Sequence, residues 1–209
     1  METKNNINAS PELIQKIVDL EWEMFSTVSN EGGKASCQSR PATFEIMRKS
    51  QILTWSVEIM ESYLKDLTRA KAAGRNLCTE KYAYMMEYTD PAQFEKLRPF
   101  LPPVEEEKRH LIGEIVAINL DWERSVDQTY EKVRSQGRPL TKENDTPFFT
   151  SVETYMTGEL ESYSLDTVRL LHVYTLFCKE EGRNLANENL ANIVEAYGFN
   201  SVSDVEELL

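Results

Sequence analysis

Apolar residues recur along this chain at helical spacing. Leu13, Ile17, Leu20, Met24 and Val28, joined by Ile14, Val18 and Phe25, make one stripe and predict an amphipathic helix. Ser10-Pro11-Glu12 supplies its start: a hydroxyl to cap free amides, a proline at the first helical position and a carboxylate at the positive end of the dipole. Gly32-Gly33 ends the pattern. After a polar loop from Gly33 to Ala42, the residues Ile46, Leu53, Val57, Met60, Leu64 and Leu67 trace a single stripe to Lys71-Ala72-Ala73-Gly74 and predict one long second helix. Gly74 suits a left-handed C-cap, and Asn76 can cap a third helix through Tyr82, Met85 and Met86 to about Tyr88. Asp90-Pro91-Ala92-Gln93 starts a short connecting helix.

Beyond Pro99-Phe100-Leu101-Pro102-Pro103 the pattern restarts. Glu105, Glu106 and Glu107 form a first turn, and Leu111, Ile112, Ile115, Val116, Val126 and Tyr130 an apolar face. Leu111-Ile112 and Ile115-Val116 repeat Leu13-Ile14 and Ile17-Val18, and Trp122 follows Trp22 at a similar interval. Arg138-Pro139 stands 98 positions after Arg40-Pro41, whereas Gly182-Arg183-Asn184-Leu185 stands 108 after Gly74-Arg75-Asn76-Leu77. The 108-residue interval also pairs Glu45 with Glu153, Trp55 with Tyr163 and Glu80 with Glu188. An insertion of about ten residues in the loop from Gly137 to Phe148 reconciles the two intervals. The expected fold is therefore all-α: a helical bundle from an internal duplication of a three-helix unit, with pseudo-twofold packing. The boundaries are a flexible terminus 1–9, a first repeat 10–90, a connector 91–104, a second repeat 105–198 and a short closing helix 199–209, the repeats packed as one domain. Ser203-Asp204-Val205-Glu206 reads as the capping box of that last helix.

Composition narrows the functional classes. A net charge of -12 over 209 residues opposes binding to nucleic-acid phosphates or anionic lipid, and no apolar run approaches the roughly 20 residues that span a bilayer. Cys37, Cys78 and Cys178 are an odd number in a chain too large to need disulfide staples, which suits thiols in a reducing, cytoplasmic setting.

The halves differ between their first two helices, where the first carries Gly32-Gly33-Lys34-Ala35-Ser36-Cys37-Gln38-Ser39-Arg40. A polar, glycine-led cluster in one copy is a better site candidate than a feature present in both. Cys37 is the candidate nucleophile if a neighbouring cation or helix end lowers its pKa; the alternative is a small thiol filling a gap. The loop lacks the first glycine, the Lys-Ser/Thr pair and the preceding strand of a phosphate loop. Glu107-Lys108-Arg109-His110 supplies one Glu-x-x-His where a di-metal bundle needs two, so no metal and no cofactor is expected. Arg48, Gln51 and Trp55 share a helix face at i, i+3 and i+7. With Trp22 and Glu23, and with Lys34, Ser36 and Gln38 above, they are candidates to line a small-molecule pocket. Arg75 in the repeated turn is a further ligand candidate or a tie to a neighbouring helix.

Trp22-Glu23-Met24-Phe25, the Gly33 to Gln38 loop, Thr43 to Gln51 and Gly74-Arg75-Asn76-Leu77 followed by Glu80-Lys81-Tyr82-Ala83 together resemble the bacterial family described as domain of unknown function 4125, over nearly the whole chain. That family has arginine before Ala-Ser-Cys-Gln where this chain has Lys34, which removes a bidentate contact there. The resemblance implies no established activity; a looser association points to a nucleotidyltransferase-like protein partner. Its motifs lie almost entirely in the first half, leaving the second to read as scaffold. The expected function is a small-molecule-binding or protein-interaction module with its site in the first repeat; the alternative is a small-molecule enzyme using the Cys37 loop.

Overall fold

Seven of the eleven described α-helices begin where a side chain accepts from a free amide. The computed structural model describes residues 10–29, 33, 35–146 and 149–209, so the 1–9 terminus and Lys34 lie outside the described residues. Ser10 Oγ accepts from the Glu12 amide at 3.2 Å and opens α1 (Pro11–Ser26). Thr27 closes it by bonding back to the carbonyls of Glu23 and Met24. A 3₁₀ turn, Ser36–Ser39, leads into α2 (Pro41–Ile52), followed by α3 (Val57–Ala72), α4 (Leu77–Thr89) and α5 (Pro91–Leu97). The chain continues through α6 (Glu106–Thr129), α7 (Glu131–Ser135), α8 (Val152–Ser162), α9 (Leu165–Glu180), α10 (Leu185–Ala196) and α11 (Val202–Leu208). The described residues contain no strand, only an isolated bridge between Thr146 and Phe149. No described helix is long and apolar enough to cross a membrane.

The expected long helix from Ile46 to Lys71 is two helices. The chain turns at Leu53–Ser56, with the Thr54 hydroxyl donating to the Gln51 carbonyl at 2.7 Å. Trp55 is then carried inward against Tyr63 and Tyr163, at centroid distances of 5.5 and 6.4 Å. Burying an indole among aromatic rings outweighs a few helical hydrogen bonds, most of which the turn replaces. The second half breaks in the same place: α8 ends at Ser162, Tyr163 is extended, and Ser164 caps α9 through the Thr167 amide. Where three helices were expected in each half, 10–90 holds four, α1 to α4, and 105–198 holds five, α6 to α10. A second correction is small: Ser201, not Ser203, caps α11.

Helix α1 packs on α2, α3 and α4, and α6 on α8, α9 and α10. The halves interlock because α4 packs on α8, α2 on α10 and α3 on α9. Ile17, Ile52, Ile59, Met60, Leu67 and Val168 form the fully buried centre. The α4–α8 contact is close because Gly158 has no side chain: a Cβ there would lie 2.6 Å from Met85 Cγ and 2.8 Å from the Lys81 carbonyl.

Candidate functional site

The close approach of α4 and α8 sets a buried lysine and a buried glutamate face to face, beside the arginine of α2. Lys81 Nζ donates to Glu159 Oε2, while Arg48 Nη1 donates to Glu159 Oε1 at 3.0 Å. The same guanidinium grips Glu21 of α1 bidentately, through Nε at 2.9 Å and through Nη2. Gln51 completes the girdle: its Oε1 accepts from Arg48 Nη1 at 2.7 Å. Two tyrosines from α3 and the α8–α9 turn close it, Tyr63 donating to Glu21 at 2.6 Å and Tyr163 to Glu159 at 2.7 Å. Lys81 Nζ also lies 3.4 Å from the centroid of the Tyr155 ring. None of the four charged side chains is more than 10% exposed.

Electrostatics hold Glu159 and its two cations in their charged forms. Burial alone would push the Glu159 carboxyl up, but Arg48 and Lys81 bring it well below the usual carboxylate range. Burial would likewise lower Lys81 and Arg48; Glu159, joined at Arg48 by Glu21, raises both instead. Burial and the adjacent carboxylates push the Tyr63 and Tyr163 phenols up, and the same two causes take the Cys78 thiol up to about 12. A general acid or base works best with a pKa near the ambient pH. Two carboxylates and two cations cancel here, and the arrangement acts as a clamp between the halves.

The candidates named from sequence divide sharply. Arg48, Gln51 and Trp55 do converge, but in the packed interior. Gln38 is buried too: its Nε2 donates to the Phe25 and Val28 carbonyls at 2.9 and 2.8 Å, and its Oε1 accepts from the Ala35 amide at 2.8 Å. It ties the loop to the end of α1. Trp22 is half-buried in a ring cluster with Phe25 and Phe44, and Glu23 is exposed and paired with Lys71. Arg75 bonds Glu80 bidentately at 2.7 Å on both arms. Ser36 and Cys37 are exposed on the 3₁₀ turn, so the gap-filling reading of Cys37 is corrected: its short turn keeps the thiol outside the core. The histidines gather elsewhere, His172 at 2.7 Å and His110 at 3.8 Å from Glu114.

Glu21, Tyr63, Lys81, Glu159 and Tyr163 were not anticipated. For Glu21 a signal existed, since it falls four residues after Ile17 and three before Met24, inside the apolar stripe of α1.

A second set of buried charges lies on the α6–α8 side. Glu161 is 1% exposed at its side chain, and among the described residues its Oε2 meets no donor. Arg109 stands 3.6 Å from its Oε1. Burial, then the nearby Glu87, pushes Glu161 up to about 7. Lys108 Nζ donates to the Glu161 carbonyl at 2.7 Å, and burial lowers that amine to about 8.

On the surface, Leu170, Val173, Leu176 and Phe177 expose one face of α9, Val173 by 66% and Phe177 by 50%. Positions 108 residues earlier, on α3, are Ser62, Lys65, Thr68 and Arg69. Two clefts also open there, one of about 340 Å³ between α3 and α9 near Lys65 and Asp66, and one of about 510 Å³ around Arg134 and Arg138. Arg48, Gln51 and Trp55 line neither. No group of three or more His, Cys, Asp or Glu among the described residues is arranged to hold a metal. No curated protein and no solved structure matches the chain. The motifs read from its first half, and the helices that carry them through both halves, agree with a single family assignment: residues 11–207 match the model described as "Protein of unknown function (DUF4125)", and the chain belongs to that family.

Proposed function

We propose that this protein is a helical interaction module that associates with a second copy of itself through the exposed face of α9. The observation that carries this reading is the row Leu170, Val173, Leu176 and Phe177, at helical spacing on one solvent-facing side. In a chain of net charge -12, random association is opposed by repulsion, so a self-complementary surface must pair its charges. An antiparallel arrangement would set Asp166 and Arg169 at its start, the latter also bonded to Glu107, opposite Lys179 and Glu180 at the end of its copy. A twofold contact uses the same patch on both partners.

The interior clamp supports interaction over catalysis, since its charges are spent on one another. The exposed Cys37 is compatible with the alternative of a thiol-using enzyme, but no hydrogen bond among the described residues joins it to a base. A reducing, cytoplasmic location fits three unpaired cysteines.

We also infer that 10–90 and 105–198 are copies of one unit, related by a pseudo-twofold. In support, Gly74 and Gly182 share a φ of 69°, and Arg183 grips Glu188 as Arg75 grips Glu80. Asn76 and Asn184 each cap the next helix and reach back to a carbonyl, of Met24 and Trp122 respectively. On this reading the α9 face is where one copy diverged from the other.

Sedimentation equilibrium tests the proposal. The expected result is twice the chain mass at micromolar concentration, reverting to a single chain in Val173→Glu. A single chain mass up to about 100 μM, a weak limit for a specific interface, rules self-association out and leaves the face to a different protein, such as a nucleotidyltransferase-like one.

A further inference from the structure

The inserted loop of the second half builds a cleft around two arginines that serves neither the clamp nor the α9 face. Arg134 of α7 is drawn inward, its side chain only 10% exposed. Its Nε donates to Glu123 at 3.0 Å and its Nη1 to the Arg138 carbonyl at 2.6 Å. Its Nη2 is buried and, among the described residues, has no hydrogen-bond partner. An N–H withdrawn from water without an acceptor is unfavourable, and such groups are rare. Gly137 lets the guanidinium lie where it does, since a Cβ there would stand 2.9 Å from Nη1.

Arg138 adds the charge. It donates from Nη1 to the carbonyl and hydroxyl of Thr150, at 2.9 and 2.8 Å, and lies over the Tyr155 ring at 4.5 Å. Among the described residues no carboxylate pairs with it, whereas Glu123 already neutralises Arg134. Both arginines line the cleft, with Ser135, Thr141 and Asn144 as further polar groups and Asp127 also on its wall. About 510 Å³ is within the range of small-molecule sites. One cation with no carboxylate bonded to it, beside one unused buried donor, fits an oxyanion, whose oxygens accept charge-assisted hydrogen bonds from arginine.

We propose that this cleft binds a small oxyanion, a carboxylate or a phosphate group, between Arg134 and Arg138. Asp127 disfavours a ligand of high negative charge, so the oxyanion belongs to a small molecule and not to a polyanion such as nucleic acid.

Titration calorimetry of the full chain at constant ionic strength tests this, with inorganic phosphate in one arm and acetate in the other. Saturable binding in either arm is expected, and the arm that responds identifies the group. Arg138→Gln should weaken it about tenfold. Gly137→Ala keeps both charges but displaces the Arg134 guanidinium, and should weaken it about threefold. No binding of either anion by about 10 mM, a negligible affinity, overturns the proposal. So does parent-like affinity in Arg138→Gln or, should that variant lose its helical circular dichroism, in Gly137→Ala.

Discussion

Glu159 and Glu161 stand two residues apart on α8, and both are withdrawn from water, yet their environments drive them in opposite directions. Burial disfavours the charged form of each. Glu159 meets Arg48, Lys81 and the Tyr163 hydroxyl, and is held well below the usual carboxylate range. Among the described residues Glu161 has Arg109 at 3.6 Å as its one ion-pair partner and an unbonded Oε2, and burial pushes it up to about 7. The difference shows that depth alone does not decide a buried acid's state; the number of donors aimed at it does. It also separates Glu159 and its two cations, charged across the neutral range, from a pH-sensitive pair, Glu161 and Lys108, on the neighbouring face.

The largest effect is expected from breaking the clamp. Arg48→Ala leaves Glu159 with Lys81 but strips the buried Glu21 of its cation, and removing one partner of a buried ion pair costs about 3–5 kcal/mol. Urea unfolding should register that loss as a lower midpoint at unchanged slope. A loss under about 1 kcal/mol means the group behaves like a surface pair and does not join the halves.

The opposite sign is expected at Glu161. Its folded pKa lies above the unfolded value, so its favourable contribution is fully present below about pH 4.5 and is lost as pH rises through about 7. Above that pH the fold carries a poorly paired buried charge. Glu161→Gln should therefore raise stability by on the order of 2 kcal/mol at pH 8, the gain shrinking toward zero as the pH falls to about 4.5. Thermal melts of parent and variant across pH 4 to 9 measure this; a pH-independent difference shows that Glu161 does not titrate in that window.

The smallest effect is kinetic. Cys37 is exposed, Cys78 is half-buried with a thiol raised to about 12, and Cys178 is buried. Alkylation at neutral pH should modify Cys37 first, with Cys78 and Cys178 reacting only on unfolding. A Cys37 rate equal to that of a small free thiol marks simple exposure; one about tenfold faster signals activation and favours the enzyme alternative.

Helix ends were legible because their chemistry is local. Ser10, Asn76 and Asp90 each cap the helix that follows, through amides two or three residues on, and spacing alone identifies them. The break at Trp55 was not, because Leu53 and Val57 continue an apolar stripe. What bends the chain there is Tyr163, 108 residues away, together with Tyr63. Nothing local marks Lys81 and Glu159 as buried, for the same reason, and Glu23 was named as a candidate although only Glu21 keeps the buried register. The α9 face left a trace, since Leu170-Leu171 places apolar residues on two sides of one helix, the first exposed and the second buried.

By itself, then, the sequence determined the all-helical class, the caps at Ser10, Asn76 and Asp90 and the glycine turn at Gly74, all of which depend on residues within a turn of one another. Tertiary structure decided which charges were buried and with which partners. Arg48 finds Glu21 27 positions back and Glu159 111 ahead. Whether a charged side chain meets water or another charge depends on which helices pack together, and no local pattern carries that information.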